Sequence, residues 1–510
     1  MLLTRRLPRL RLNRSIGPPI HSTQSRTAPA AEQPCRCSST LRASPLEETE
    51  TVKTINKLLS QVRARNRPSS SSSEDLLTSR LPTRINTQTW IEYAKSQTAT
   101  EKASAGGSGR EEMLQQVEEM LRRPKRMHDS YVELQLPFSK DPQLADRYIA
   151  TSGSIRLGKI FEDLDNLAGD IAYSHVLGGR PKAGDRKVPI FIVTASVDRL
   201  DLVVDSLEAT CDYRLSGLPI FVGSSSMEVL VAIDQILPGK GSDGQAQTKT
   251  CLTGRFTMVT RNALTAKSQS IPPLELQAED ESKLFAFGEG HKQKKRREFE
   301  MALSRVPPTQ QEARELHEQW LNDHDLLTAQ SRDTVHAPTS THAVIPVGPS
   351  ETRLISTQHV HPQSRNVHMK VFGGFLMRQA YELAWMVGAT FSRQPVKFLA
   401  LDALSFHAPV PVGAMLSLTA QIDYTSAPQV RCDGGERCVG AIAVLAEVVD
   451  IEVGTRRRTN TFHFSFDLGG GQVTQRVSPV SYQESMAWIE GKRRVELGLE
   501  LRRLYDGIGA

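Results

Sequence analysis

RLGKIFEDLDNLAGDIA at residues 156–172 and FGGFLMRQAYELAWMVGATF at residues 372–391 are the stretches that decide the fold. In the first stretch, apolar residues recur at the spacing of one helix face, and the second stretch is apolar on most sides. Each predicted helix begins at a glycine, Gly158 in the first stretch and Gly374 in the second, and these glycines lie 216 residues apart. An all-round apolar helix must be buried, so the sequence predicts two central helices that are each wrapped by a sheet.

Strand-like runs rich in β-branched residues follow both helices. After the first helix they are Val188–Val197, Leu207–Arg214, Met227–Ile236 and Arg255–Val259; after the second they are Val396–Leu404, Met415–Tyr424, Val439–Val453 and Thr459–Phe466. Because the same plan occurs twice, we predict an α+β fold of two tandem units, each a central helix in a curved antiparallel sheet.

Composition shifts along the chain predict its domain boundaries. The predicted segments are a leader (1–31), a linker with short helices such as Arg110–Arg123 (32–125), a first unit (126–290), a helical linker (291–350), a second unit (351–475) and a C-terminal helix (476–510). The first 125 residues hold two aromatic residues, too few to build a core.

Charge is distributed unevenly over the 510 residues, whose formal net charge is +6. Residues 1–31 contain six arginines and no acid, so the remainder is neutral. A protein that binds phosphate backbones needs a basic surplus, and we therefore expect no nucleic-acid partner. The acid-free leader with its Ser and Thr residues is typical of a mitochondrial transit peptide, with a disordered basic tail as the alternative. No run approaches the roughly 18 apolar residues of a membrane span.

Several motifs are too incomplete to indicate chemistry. Residues 153–159 have the spacing of a phosphate-binding loop, but Ile160 stands where Ser or Thr would hold magnesium. No Gly-x-Ser-x-Gly elbow supplies a serine nucleophile. His359, His361 and His368 share a polar loop that lacks carboxylates, and the six cysteines are too scattered for a disulfide framework. We therefore expect no metal and no cofactor.

One polar constellation remains, at the starts of the two helices. Asn366 precedes the pair Gly373-Gly374, where bare backbone N–H groups at a helix N-terminus can hold a carbonyl oxygen that becomes negative. Asp165, seven residues after Gly158, lies at the edge of the apolar face of the first helix. It is either a satisfied core acid or a working base or nucleophile.

Both motifs, RLGKIFEDLD (156–165) and Asn366 followed by FGGFLMRQAYELAW (372–385), resemble the mitochondrial double-hotdog acyl-CoA thioesterases of the nine/ten type. The resemblance runs from about Met127 to Arg503. It implies two hotdog units packed as an intrachain pseudo-dimer, with acyl-CoA as substrate. Proteins of this kind commonly associate further, so we also expect a homo-oligomer.

The resemblance further implies one composite site, with Asp165 of the first unit opposite Asn366 of the second and with Gly373 and Gly374 positioning the carbonyl. At the complementary site Ala150 and Tyr381 take the Asn and Asp positions, so that site is expected to be inactive. Glu382 beside it is either structural or binds a regulator. Asp165 attacks the thioester or activates a water, and the sequence leaves both open. A hotdog hydratase and a non-catalytic acyl-CoA binder are the alternatives.

Overall fold

A computed structural model describes most of the chain after its first 118 residues. The described residues are 119–178, 190–240, 246–262, 267–300, 302–332, 345–364, 371–402, 404–430, 436–470, 473 and 475–506. The predicted leader, the first two cysteines and all but the last turn of the predicted Arg110–Arg123 helix fall outside this range.

Five long helices and twelve strands build the described part. The helices are α1 (Leu157–Leu177), α2 (Glu279–Glu300), α3 (Gln310–Arg332), α4 (Gly373–Ser392) and α5 (Tyr482–Asp506). The strands are β1 (Val132–Leu136), β2 (Ile190–Val197), β3 (Leu200–Leu202), β4 (Asp212–Val222), β5 (Ser226–Lys240), β6 (Ala246–Asn262), β7 (Leu354–His359), β8 (Lys397–Leu401), β9 (Leu404–Ser405), β10 (Met415–Thr425), β11 (Val439–Val449) and β12 (Arg456–Asp467). A short helix covers Pro142–Asp146, and two-stranded ladders pair Lys125–Arg126 with Leu274–Glu275, Ile345–Val347 with Gln475–Val477, and Gln429–Val430 with Glu436–Arg437.

All twelve strands form one sheet, in the order β7-β10-β11-β12-β8-β3-β6-β5-β4-β1. Strand β2 pairs with β6 and with β9, off the main path. Every one of these pairings is antiparallel. The first half of the sheet packs around α1 and the second half around α4. The α+β prediction of two tandem hotdog units, joined as an intrachain pseudo-dimer, is confirmed.

The two halves of the sheet meet at two short antiparallel pairings. Strand β3 places Asp201 opposite Ala400 of β8, and strand β2 places Val197 opposite Leu404 of β9. The predicted single strand Val396–Leu404 is therefore two strands, β8 and β9. Each of them pairs with a different strand of the first unit, and this break brings both units into one sheet.

The C-terminal helix spans that junction. Its Arg502 guanidinium donates to the carbonyl oxygens of Leu202 and Leu399, one from each unit, at 2.7 Å each. Below the helix, Arg199 of the first unit pairs with Asp402 of the second. Both contacts tie the two units together on the side of the sheet away from the central helices.

Helices α2 and α3 cover part of the predicted helical linker (291–350), whose later residues Ile345–Val347 form a strand. The charged run 291–297 lies within α2, and the predicted helix at 316–327 lies within α3. Helix α3 contacts α5 through a two-point ion pair, in which Arg493 donates to both carboxylate oxygens of Glu312 at 2.5 and 2.7 Å. In the part of the chain that the structure describes, no helix is long and apolar enough to cross a membrane.

Two strands of the first unit also differ clearly from their predictions, and one of them, β6, spans Ala246–Asn262 where the sequence predicted only Arg255–Val259. The sequence predicted a strand at Leu207–Arg214, whereas β4 begins at Asp212 and continues to Val222. The Ser-Gly-Leu-Pro sequence that looks like a turn lies inside the strand. Gly217 is needed there because a Cβ would lie 2.5 Å from the Leu230 carbonyl oxygen. Pro219 is tolerated because the ladder shifts register directly after it.

Candidate active site

The two central helices cross at their glycines. A Cβ on Gly374 would lie 2.8 Å from Glu162 Cα and 3.0 Å from Asp165 Cβ. Reciprocally, a Cβ on Gly158 would lie 2.8 Å from Arg378 Cγ and 3.3 Å from Tyr381 Cδ1. The reciprocity is that of a pseudo-twofold axis, because each glycine is the second residue of its helix. Glycine allows the close approach that brings Asp165 to the start of α4.

The Asp165 carboxylate binds both units. Its Oδ2 accepts the backbone N–H of Gly374 at 2.7 Å, and its Oδ1 accepts the Thr194 hydroxyl at 2.7 Å. Gly374 lies in the first turn of α4, where the backbone N–H groups lack partners within the helix and carry partial positive charge. Phe372, at the N-cap position, makes no side-chain cap. Asp165 of one unit thus caps the helix of the other.

Burial raises the pKa of Asp165. The side chain is 6% exposed, and loss of solvent is the largest cause. The hydrogen bonds from Thr194 and Gly374 act in the opposite direction, and the nearby Glu162 raises the pKa further. A carboxylate whose ionised form is disfavoured by burial but held by two donors has the character of a general base or nucleophile.

Thr194 is the residue of this site that the sequence did not indicate. It lies in β2, where threonine is an ordinary strand residue with no distinguishing pattern. A register shift between Thr194 and Ser196 in the pairing with β6 marks the position. The same shift occurs in β8, between Phe398 and Ala400. The two irregularities are equivalent in the two units, so Phe398 takes the place of Thr194 in the second unit.

Asn366, the predicted partner of Asp165, lies outside the described residues, as does His368. The chain on either side is described. Val371 donates its N–H to the Val410 carbonyl at 3.1 Å, and a short 3-10 helix covers Pro362–Ser364. Asn366 therefore stays a prediction. Gly373 is placed at the site, since a Cβ there would lie 3.3 Å from Asp165 Oδ2.

The equivalent position in the second unit is filled by aromatic rings. Tyr381, the ninth residue of α4 as Asp165 is of α1, packs against Phe161, Phe398 and Phe466 with ring centroids 5.5, 5.7 and 5.9 Å apart. Burial raises the pKa of the Tyr381 hydroxyl. The hydrogen-bonded Asp–Thr pair of one site thus corresponds to an aromatic Tyr–Phe pair at the other.

Three ion pairs surround this second position. Glu382 Oε1 accepts from Arg156 Nη2 at 2.5 Å, and both side chains are partly exposed. Glu162 Oε1 lies 3.0 Å from Arg378 Nη1, and its other oxygen lies 2.7 Å from Lys159 Nζ. Glu162 and Arg378 are each the sixth residue of their helix, so equivalent positions carry opposite charges and pair across the pseudo-twofold axis.

The motifs that were judged too incomplete for chemistry lie in regular secondary structure or in loops. Residues 157–159 belong to the first turn of α1, and Gly158 lies against α4. His359 ends β7 and bonds the Gly413 carbonyl through Nε2 at 3.1 Å, and its ring lies against that of His361. Among the described residues, no group of three or more His, Cys, Asp and Glu side chains could hold a metal ion.

The chain is similar to several named proteins. Acyl-coenzyme A thioesterase 9, mitochondrial, of Bos taurus is 33% identical over 371 residues, covering 72% of this chain and 78% of the relative. Acyl-coenzyme A thioesterase 10, mitochondrial, of Mus musculus is 30% identical over 370 residues, with the same shares. Acyl-coenzyme A thioesterase 2, chloroplastic, of Humulus lupulus is 30% identical over 360 residues, covering 69% and 77%.

Solved structures give weaker similarities. A crystal structure of an acyl-ACP thioesterase from Bacteroides thetaiotaomicron matches with a TM-score of 0.35 and 10% identity, covering 66% of this chain and 98% of that chain. An acyl-CoA hydrolase from Staphylococcus aureus, in complex with butyryl coenzyme A, coenzyme A and coenzyme A disulfide, matches with a TM-score of 0.28 and 20% identity, covering 32% and 96%. No protein-family model matches the sequence.

Proposed function

The chain belongs to the acyl-coenzyme A thioesterase family of the mitochondrial type 9 and type 10 enzymes, which makes it a thioester hydrolase, and we propose that it hydrolyses fatty acyl-CoA in mitochondria at one composite site. Asp165 is the proposed catalytic carboxylate. Asn366 and the N–H group of Gly373 are proposed to hold the substrate carbonyl, and Gly374, whose N–H donates to Asp165 at 2.7 Å, is proposed to position that carboxylate. The products are a free fatty acid and coenzyme A.

The observation that carries this proposal is the pair of hydrogen bonds at Asp165. A buried carboxylate that reaches across to the first turn of the other unit's helix lies beside the N–H groups that could stabilise an oxyanion. The carbonyl oxygen of the thioester would approach this positive helix end. Its carbonyl carbon would then lie next to Asp165, as the chemistry requires.

The reaction needs little further apparatus. Asp165 either attacks the carbonyl carbon, forming an anhydride that water then cleaves, or removes a proton from the attacking water. In both cases the C–S bond breaks and coenzyme A leaves as a thiolate, which is a good leaving group and takes up a proton. Burial raises the pKa of Asp165, so its carboxylate is a stronger base than that of a solvent-exposed aspartate. Thr194 orients the carboxylate through its hydroxyl.

The test is the hydrolysis of an acyl-CoA series by the purified chain, followed by the release of free thiol. Asp165→Asn should reduce kcat by about 10³-fold or more, because the amide can neither attack nor accept the proton. Tyr381→Phe is the matched control, since it changes the equivalent residue of the second unit and should leave kcat within about twofold.

Two outcomes would contradict the proposal. An Asp165→Asn enzyme that folds and keeps full activity would remove Asp165 from the site. Tight acyl-CoA binding by the unmodified chain without thiol release at any chain length would instead indicate a binding protein. The series also gives the acyl chain length that the enzyme prefers.

Location and assembly are part of the same proposal. Residues 1–31 are proposed to direct import into the mitochondrial matrix, and the boundaries 126–290 and 351–475 are proposed as the two hotdog domains. The mature N-terminus of protein recovered from mitochondria should lie beyond the six arginines, and an intact Met1 would contradict cleavage. Light scattering of the purified chain tests the proposed homo-oligomer.

A further inference from the structure

A short segment connects the proposed active site with the start of β12. The ring of Phe406 lies against Gly373, with Cζ 2.9 Å from where a Cβ would be. The Phe406 N–H donates to the Ala195 carbonyl at 2.9 Å, next to Thr194. The following residue, His407, donates its N–H to the Thr459 carbonyl at 3.3 Å. The segment Phe406–His407 therefore links the proposed active site to the beginning of β12.

Three consecutive arginines form that beginning of β12. Arg456, Arg457 and Arg458 are all exposed. Two of them have neighbours on the strand: Arg456 lies 3.3 Å from the carboxylate of Glu447, and Arg458 donates to the Thr461 hydroxyl. Since the chain after residue 31 has no net charge, this run is a local concentration of positive charge.

Arg457 differs from its two neighbours in the face that it occupies. It is the cross-strand partner of Val448, which packs at the margin of the main core. Directly paired residues of an antiparallel ladder share a face, so Arg457 lies on the side of the sheet that holds α4. Arg456 and Arg458, which neighbour it along the strand, lie on the opposite face of the sheet. Within the described residues, no acid pairs with Arg457 and none with His407.

We propose that Arg457 binds the phosphate groups of the nucleotide half of coenzyme A, with the exposed His407 on the segment that links Gly373 to β12. This inference rests on the proposed function, because the substrate must carry those phosphates. The guanidinium fork matches phosphate oxygens in geometry as well as in charge. With the thioester at Gly373 and Gly374, the nucleotide would leave the site past Phe406 and His407 and reach Arg457 on the surface.

The experiment compares two thioesters of the same acyl chain, acyl-CoA and S-acyl-pantetheine, which lacks the phosphates and the nucleotide. For Arg457→Ala we expect KM for acyl-CoA to rise about tenfold, with kcat unchanged and with unchanged constants for S-acyl-pantetheine. Arg457→Lys should recover part of the loss, because it keeps the charge without the fork. Lys397→Ala is the control, since it removes an exposed charge at the other end of α4.

The inference is overturned if Arg457→Ala leaves KM for acyl-CoA unchanged or alters both thioesters equally. Calorimetry with free coenzyme A and with pantetheine tests it without turnover. The unmodified chain should bind coenzyme A more tightly than pantetheine, and Arg457→Ala should abolish most of this preference. If the chain hydrolysed neither thioester, the proposed function would fail, and the calorimetric comparison would still decide the role of Arg457. Equal binding of coenzyme A by both proteins overturns it.

Discussion

Alanine substitution of Gly374 and of Gly158, the glycines at which α1 and α4 cross, distinguishes an effect on the proposed active site from a general effect on stability. Gly374→Ala places a methyl group 2.8 Å from Glu162 Cα and 3.0 Å from Asp165 Cβ. Carbon atoms normally approach to about 3.5–4.0 Å, so the helices must separate there by roughly 0.7 Å. The obstacle at Glu162 is backbone, which cannot turn away as a side-chain end can. Gly158→Ala is the pseudo-symmetric comparison, because its methyl group meets side-chain atoms, Arg378 Cγ at 2.8 Å and Tyr381 Cδ1 at 3.3 Å, where Gly374→Ala meets backbone.

The expected magnitudes differ accordingly. Overpacking of this kind costs about 1–3 kcal/mol, from which up to about 1 kcal/mol is recovered by the better helix propensity of alanine. Gly374→Ala should therefore lower the free energy of unfolding by about 1–2 kcal/mol, and Gly158→Ala should lower it by less, about 1 kcal/mol or below, because side chains move more easily than backbone. A displacement approaching 1 Å at reacting groups costs on the order of 10²-fold in rate. We expect that loss in kcat for Gly374→Ala and near-normal kcat for Gly158→Ala.

Thiol release from acyl-CoA gives kcat, and urea unfolding at the same pH gives the free energy of unfolding. Full activity in a folded Gly374→Ala enzyme would refute the placement of the active site at this crossing. So would equal losses in both variants, because the two positions differ in what the new methyl group meets and in which site lies beside it.

Three further predictions concern the interface of the two units and its buried charges. Glu162→Arg should lower the free energy of unfolding by about 3 kcal/mol, because it places a second positive charge opposite Arg378, and adding Arg378→Glu should restore most of this loss. Urea unfolding of the single and double variants measures the coupling between the two residues. Losses that simply add would contradict the pairing. Burial raises the pKa of Asp163 from its ordinary 3.8 to about 7, so the folded state binds its proton more tightly than the unfolded state does. The free energy of unfolding should therefore fall as pH rises from about 4 to 7, by at most about 4 kcal/mol, and Asp163→Asn should flatten this pH profile; an unchanged profile would refute it. Arg502→Ala should lower the free energy of unfolding by about 2–3 kcal/mol, because the carbonyls of Leu202 and Leu399 lose their donor. A variant whose urea midpoint equals that of the unmodified chain would contradict this prediction.

The sequence predicted the helices of this fold better than its strands. Both central helices begin within one or two residues of their predicted glycines, because helical periodicity is a local property that a single stretch displays in full. Strand β4 was predicted five residues too early, since the Gly217 and Pro219 that look like a turn are accommodated by contacts with a neighbouring strand. Pairing partners supply that information, and they are distant in the sequence.

Part of the candidate site could be predicted from the sequence, and the roles of its residues stay predictions. Asp165 could be singled out because it stands at the edge of an apolar helix face, and Gly374 because it begins the other helix. Thr194 could not, because its distinguishing feature is a register shift against β6, which has no mark in the sequence of β2. Arg457 lies in a run whose three members look alike, and only the pairing with Val448 separates it from its neighbours.

The opposite charges at Glu162 and Arg378 have a consequence for how this protein can change. In a symmetric pair of identical chains, every substitution occurs twice, so a residue that helps one site must be tolerated at the other. Joined in one chain, the two halves vary separately. A buried carboxylate that weakens folding occurs once, and the vacated counterpart is free to hold aromatic rings that strengthen it. A single chain with two different halves can thus confine the energetic cost of the proposed catalytic carboxylate to one half, while the other half stabilises the fold.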